Sequence, residues 1–173
     1  NRRIEAKRNK DTVTADSLKI TVNGSFGKFG SKYSFLYSPD LLINTTITGQ
    51  LTLLMLIEMI TTAGGNVKSA NTDGIVILCK RHNVQAIRDT VRLFELNTIF
   101  SMEYTEYRAL YSINVNNYLA VKPDGKVKGK GQFAIGGLAK NPTNTISVKA
   151  AIAYLTKQTP IKDTILHCQD IRD

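Results

Sequence analysis

Two short motifs hold the residues best suited to chemistry. The first is Lys19-Ile-Thr-Val-Asn23-Gly24-Ser25-Phe26-Gly27. It sets a cation and an amide one helical turn apart, just before a glycine-bounded aromatic. A lysine can neutralise a phosphate oxygen as a point charge, and the glycines let a flat ligand lie against the backbone. The second is Asn71-Thr72-Asp73-Gly74, an acid in a tight turn between two apolar runs. Hard divalent cations prefer carboxylate and phosphate oxygen. Together the motifs suggest a site for a nucleoside triphosphate and a divalent metal. Each also has a plainer reading: Lys19 as a solvated surface charge, and Asp73 as a turn aspartate bonded to its own backbone.

The elements that must position these residues follow from the hydrophobic pattern. Cap residues at Thr14 to Ser17 and apolar Leu18, Ile20, Val22 and Phe26 predict a helix that carries the first motif, ended by Gly24, Gly27 and Gly30. Tyr33 to Tyr37 alternates weakly, as a short strand would. Leu41 to Thr62 reads as a mostly buried helix. Val67 to Ala70 and Gly74 to Cys79 read as a β-hairpin around Asn71-Thr72-Asp73. Arg81 to Leu96 is an amphipathic helix with Val84, Ile87, Val91 and Phe94 inward. Strands are predicted over Ile99 to Tyr111 and Ile113 to Val121, with another stretch, Lys126 to Phe133, leaving the Pro123-Asp124-Gly125 turn. Thr145 to Lys157 and Pro160 to His167 are short helices. The fold class is α+β, an antiparallel sheet packed on helices.

The chain has 173 residues, 42% of them hydrophobic, which suffices for a core and excludes intrinsic disorder. A net charge of +9 and a pI near 9.6 favour a polyanionic partner, nucleic acid or an anionic membrane surface. Cys79, Cys168, His82 and His167 have no zinc-ligand spacing, and the two thiols fit a reduced compartment. The apolar run Leu51 to Ile60 is too short to cross a bilayer and contains Glu58. No signal peptide is expected, nor a membrane partner, and the expected compartment is the cytoplasm. The first residue is Asn, not Met, so the sequence reads as a piece of a longer protein.

The order of these motifs resembles the family-B DNA polymerases, above all the phage-type members, including the protein-primed ones. Lys19-x-x-x-Asn23-Gly24-x-Phe26-Gly27 is similar to the family's second motif, Lys-x-x-x-Asn-Ser-x-Tyr-Gly, on a fingers helix. Thr48-Gly49-Gln50 lies where the family has Thr-x-x-Gly-Arg. Asn71-Thr72-Asp73-Gly74 is similar to Asp-Thr-Asp-Ser. Met102-Glu103-Tyr104-x-x-Tyr107, then Asn116-Asn117-Tyr118, resembles the stretch leading into Lys-x-Tyr, and Lys130-Gly131 matches a Lys-Gly that follows. The likeness covers most of residues 1–135. It departs at Asn71, Gly24, Phe26 and Asn116, which stand for Asp, Ser, Tyr and Lys.

The resemblance implies template-directed nucleotidyl transfer from a dNTP to a primer 3′-OH. Lys19 would bind the triphosphate and Asn23 would help place it, with Phe26 and Gly27 beside the nascent base pair. Arg2, Arg3 or Lys7 would reach the phosphates. Asp73, with Thr72 beside it, would hold two Mg²⁺ ions, with Mn²⁺ as a substitute. Tyr118, Lys122 and Lys130 would contact primer-template DNA, and Lys126 and Lys128 would join them along the backbone. A terminal protein or other replication proteins would be partners, and the compartment would be the cytoplasm, of a bacterial host if the source is viral. The family's first motif, with the other catalytic Asp, is absent from this chain, so the fragment alone should not polymerise. The division implied is the end of the fingers at 1–30, palm at 31–135, and a helical segment at 136–173 that would begin the thumb. Two other readings stay open: a non-catalytic nucleic-acid-binding module derived from a polymerase, and a basic structural domain.

Overall fold

The computed structural model describes residues 2–134 and 145–169. The opening part of the 136–173 segment, residues 136–144, lies outside the described residues. The fold is α+β, with helices α1 (Arg2–Arg8), α2 (Thr12–Phe29), α3 (Pro39–Thr62), α4 (Val84–Asn97), α5 (Thr145–Lys157) and α6 (Ile161–Leu166). The strands are β1 (Asn66–Asn71), β2 (Gly74–Leu78), β3 (Ala109–Asn114), β4 (Asn117–Val121) and β5 (Val127–Lys130). They form two separate sheets, the β1–β2 hairpin and an antiparallel β3–β4–β5 sheet. Two compact units divide the chain: Asn1–Lys68 with Thr72–Val91, and Ser69–Asn71 with Arg92–Asp173.

In the first unit α1 packs on α2, and α2 on α3. Asp11 caps α2, its Oδ1 accepting from the Thr14 N–H at 3.0 Å. The helix runs through Gly24 and Gly27 instead of ending there, and stops at Gly30. Pro39 at the first turn and Ser38 before it start α3. Of α3 only Leu56 and Ile60 are fully buried, while Leu41, Ile43, Ile47, Leu51, Leu54 and Met55 are exposed. The expected burial of this helix is therefore confined to its last two turns. The Leu51–Ile60 run is the second half of a helix that is long and apolar enough, by length and composition alone, to cross a bilayer. After α3 the chain turns at Gly64, φ +83°, and Gly65 lies tight against Ile60 and Ile87. Ile87, Val91 and Phe94 line the inner face of α4 as its periodicity predicts.

Four other expectations change. Tyr33 to Tyr37 is a series of turns, not a strand, because Ser31 and Ser34 carbonyls and the Ser34 hydroxyl accept the local N–H groups. The strand expected from Ile99 begins only at Ala109. Upstream, the Glu95 carboxylate accepts from the Met102 N–H and the Thr98 hydroxyl accepts from the Phe100 N–H, withdrawing donors from any ladder. The next turn falls at Val115-Asn116, since Asn114 Oδ1 accepts from both the Asn116 N–H and Asn117 Nδ2. β5 is also shorter than Lys126 to Phe133, for Gly131–Phe133 closes into a 3₁₀ turn.

Replacing Ile60, wholly buried, by Ala removes core packing. Ile60→Ala should lower unfolding free energy by about 2–5 kcal/mol, read from urea denaturation; a shift below about 1 kcal/mol would contradict this core assignment.

Candidate nucleic-acid and nucleotide site

α2 carries the first motif. Spacings of four, seven and eight residues from Lys19 set Asn23, Phe26 and Gly27 on the same side of the helix. All four are exposed. A Cβ added at Gly24 or Gly27 would meet nothing within 4 Å, so this surface is open to a flat ligand. Phe26 is held by an edge-to-face contact with Phe29, centroids 6.3 Å apart. Thr21 and Ser25 turn their hydroxyls back onto the carbonyls four residues earlier. Arg3 and Lys7 lie one turn apart on α1, exposed, while Ala6 between them is buried.

Asp73 is exposed in the two-residue turn Thr72-Asp73 that joins β1 to β2, the position the hairpin reading gives it. Space beside it is open, since a Cβ on Gly74 would meet nothing within 4 Å. Among the described residues no group of three or more Asp, Glu, His or Cys side chains could enclose a metal. Asp73 and Thr72 present a carboxylate and a hydroxyl in this turn, oxygen donors of the type that hard cations prefer. α2 packs on α1 and α3, and has no comparable packing with the β1–β2 hairpin among the described residues. Lys19 and Asp73 are thus both accessible but not brought together.

The third group converges. β4 runs antiparallel between β3 and β5, pairing Tyr118 with Ser112 and Lys130, and Ala120 with Leu110 and Lys128. The Arg108 N–H donates to the Val121 carbonyl at 2.7 Å and the Lys122 N–H to the Lys126 carbonyl at 2.8 Å, which extends the same register. Directly paired residues share a sheet face. One face therefore carries Tyr118 with Lys130 beside it, Lys128 two residues along, and Arg108, Lys122 and Lys126 towards the other end of the strands. Lys130 Nζ lies 6.0 Å from the centre of the Tyr118 ring. The opposite face carries Tyr111, Leu119 and Val121, and the Tyr111 hydroxyl donates to the Leu155 carbonyl of α5. Tyr118, Lys122 and Lys130, chosen from sequence, fall on one surface. Arg108 was missed; the alternation Arg108, Leu110, Ser112 was the signal, hidden by starting the strand at Ile99. Asp124 holds Lys126 through a 3.3 Å exposed ion pair.

No protein-family model matches this chain, and neither does any curated protein.

The cap of α2 gives a pH test. The Asp11 pKa is lowered from the ordinary aspartate value, first by the Thr14 hydroxyl and then by its N–H, both bonded to the charged carboxylate. A lowered folded pKa stabilises above the unfolded value and loses that contribution as pH falls through the folded one. Helical circular dichroism should hold from neutral pH to the ordinary aspartate range and decline below it. Asp11→Ala should start lower at neutral pH and lose that part of the acid transition; an unchanged acid limb would refute the cap's role.

Proposed function

We propose that this chain is part of a template-directed DNA polymerase that transfers a nucleotidyl group from a dNTP to a primer 3′-OH. The observation that carries the reading is the cationic sheet face, where Tyr118, Lys122 and Lys130 stand with Arg108, Lys126 and Lys128. Five cations along one sheet face suit a phosphate backbone better than any neutral ligand. The open side of α2 and the exposed Asp73 turn add the two other features that the motif order calls for.

In this reaction the primer 3′-oxygen attacks the α-phosphorus. The bond from that phosphorus to the bridging oxygen breaks, and pyrophosphate leaves. Lys19 offsets charge on the phosphates, and Asn23 orients the nucleotide. Phe26 and Gly27 leave a flat, open surface for the nascent pair. Asp73 and Thr72 would hold Mg²⁺, which when bound acidifies the attacking hydroxyl and neutralises the leaving group. The cationic face fixes the primer-template, and positioning supplies much of the rate. The sequence of the template is read by base pairing, not by these side chains.

In the gene product that carries this chain, primer extension with Mg²⁺ should fall at least about 100-fold in Asp73→Ala, while duplex binding without metal stays unchanged. Binding without extension in the wild type would favour the non-catalytic module instead, and extension unaffected by the substitution would refute the assignment of Asp73. Lys128→Ala/Lys130→Ala should weaken duplex binding alike for unrelated sequences and reduce the slope of log K against log salt by about 1–2. An unchanged slope would remove these lysines from the backbone contact.

A further inference from the structure

The segment between α2 and α3 has an arrangement that the polymerase reading does not use. The Ser38 N–H donates to the Phe29 carbonyl at 3.0 Å and closes the loop at its base. Inside it the Ser34 N–H donates to the Ser31 carbonyl, the Tyr37 N–H to the Ser34 carbonyl, and the Leu36 N–H to the Ser34 hydroxyl. Leu36 is half-buried, and a Cβ on Gly30 would lie 3.1 Å from Leu42, so the loop is seated against the start of α3. This internally bonded frame holds Tyr33 at 90% and Phe35 at 97% exposure, with Tyr37 at 50%.

Large aromatic side chains so fully in water, on a frame bonded to itself, call for a ligand. The charge around them says which kind. Residues 17–39 contain Lys19, Lys28 and Lys32 and neither Asp nor Glu. Lys32 Nζ lies 5.3 Å from the centre of the Tyr33 ring, which joins a cation and a π-face in one unit. Aromatic faces that stack bases, interleaved with cations that meet phosphates, are what a single strand requires. A duplex hides its base faces and offers such rings nothing.

We propose that the Phe29–Ser38 loop is a stacking platform for single-stranded nucleic acid. Bases stack on Tyr33 and Phe35, and phosphates meet Lys28 and Lys32. The platform rests on the loop alone, needs no metal, and stands whether or not Asp73 supports nucleotidyl transfer.

The test uses a labelled 12-nucleotide oligothymidylate and its oligouridylate counterpart, with EDTA, followed by fluorescence anisotropy. Tyr33→Ala/Phe35→Ala should weaken both by at least about 10-fold, since stacking needs only a base face, and leave blunt duplex binding within about twofold. Asp73→Ala should bind the single strand as the wild type does. These 173 residues hold no tryptophan, so Tyr33→Trp adds a reporter whose emission, read as the difference from the wild type, should be quenched by a saturating strand. Single-strand affinity within about twofold of wild type in the double variant, an equal loss on duplex, or unquenched emission would each overturn the proposal.

Discussion

The antiparallel register of β4 between its two neighbours decides which charges stand together. Side chains alternate across a pleated strand, so one pairing scheme sends Tyr118, Ala120 and Lys122 to one side and Leu119 and Val121 to the other. A slip of one residue would exchange the two sets and put lysines under α5. Leu119 and Val121, almost wholly buried, hold the register against that slip. The opposite side then gathers like charges at adjacent positions, which repel. Ala120 is fully buried on that side even so. A polyanion, or simple salt, would relieve that repulsion and so stabilise the sheet.

Element type was legible wherever periodicity was long. α4 shows its inward stripe in the sequence, and the β1–β2 hairpin announces itself by a polar turn before the apolar run of β2. What could not be read was decided by side chains competing for backbone groups. Ser34 captures an N–H and curls a segment whose alternation suggested a strand. Glu95 and Thr98 do the same ahead of β3. The exposure of α3 was hidden for another reason. An apolar pattern records what a helix can bury, but burial depends on what packs against it, and only Leu56 and Ile60 find complete cover.

The candidate site was legible in its chemistry and not in its assembly. Lys19, Asn23, Phe26 and Gly27 share one side of α2 as their spacing requires, and Asp73 occupies a turn. Sequence spacing fixes geometry within an element and leaves geometry between elements to packing. The convergence of Tyr118 and Lys130 is the exception, because a short connection between adjacent antiparallel strands lets sequence distance translate into register. For Asp73 a single carboxylate is weak as a cation site by itself. On the nucleotidyl-transfer reading, metal affinity would therefore be linked to the arrival of the triphosphate.

The tetrapeptide Lys128-Gly129-Lys130-Gly131 separates two kinds of constraint at alternate positions. A side chain on Gly129 would enter the main chain of Phe133, and Gly131 combines φ +64° with contact against Asn116 and Asn117. Both glycines are locked by steric exclusion. Lys128 and Lys130 carry their side chains on the other face, where no such steric limit is set. Under random codon replacement, such a segment would show a strict comb: two positions that admit no change, separated by positions that exchange lysine and arginine freely. Drift in this strand can therefore retune charge without ever touching shape.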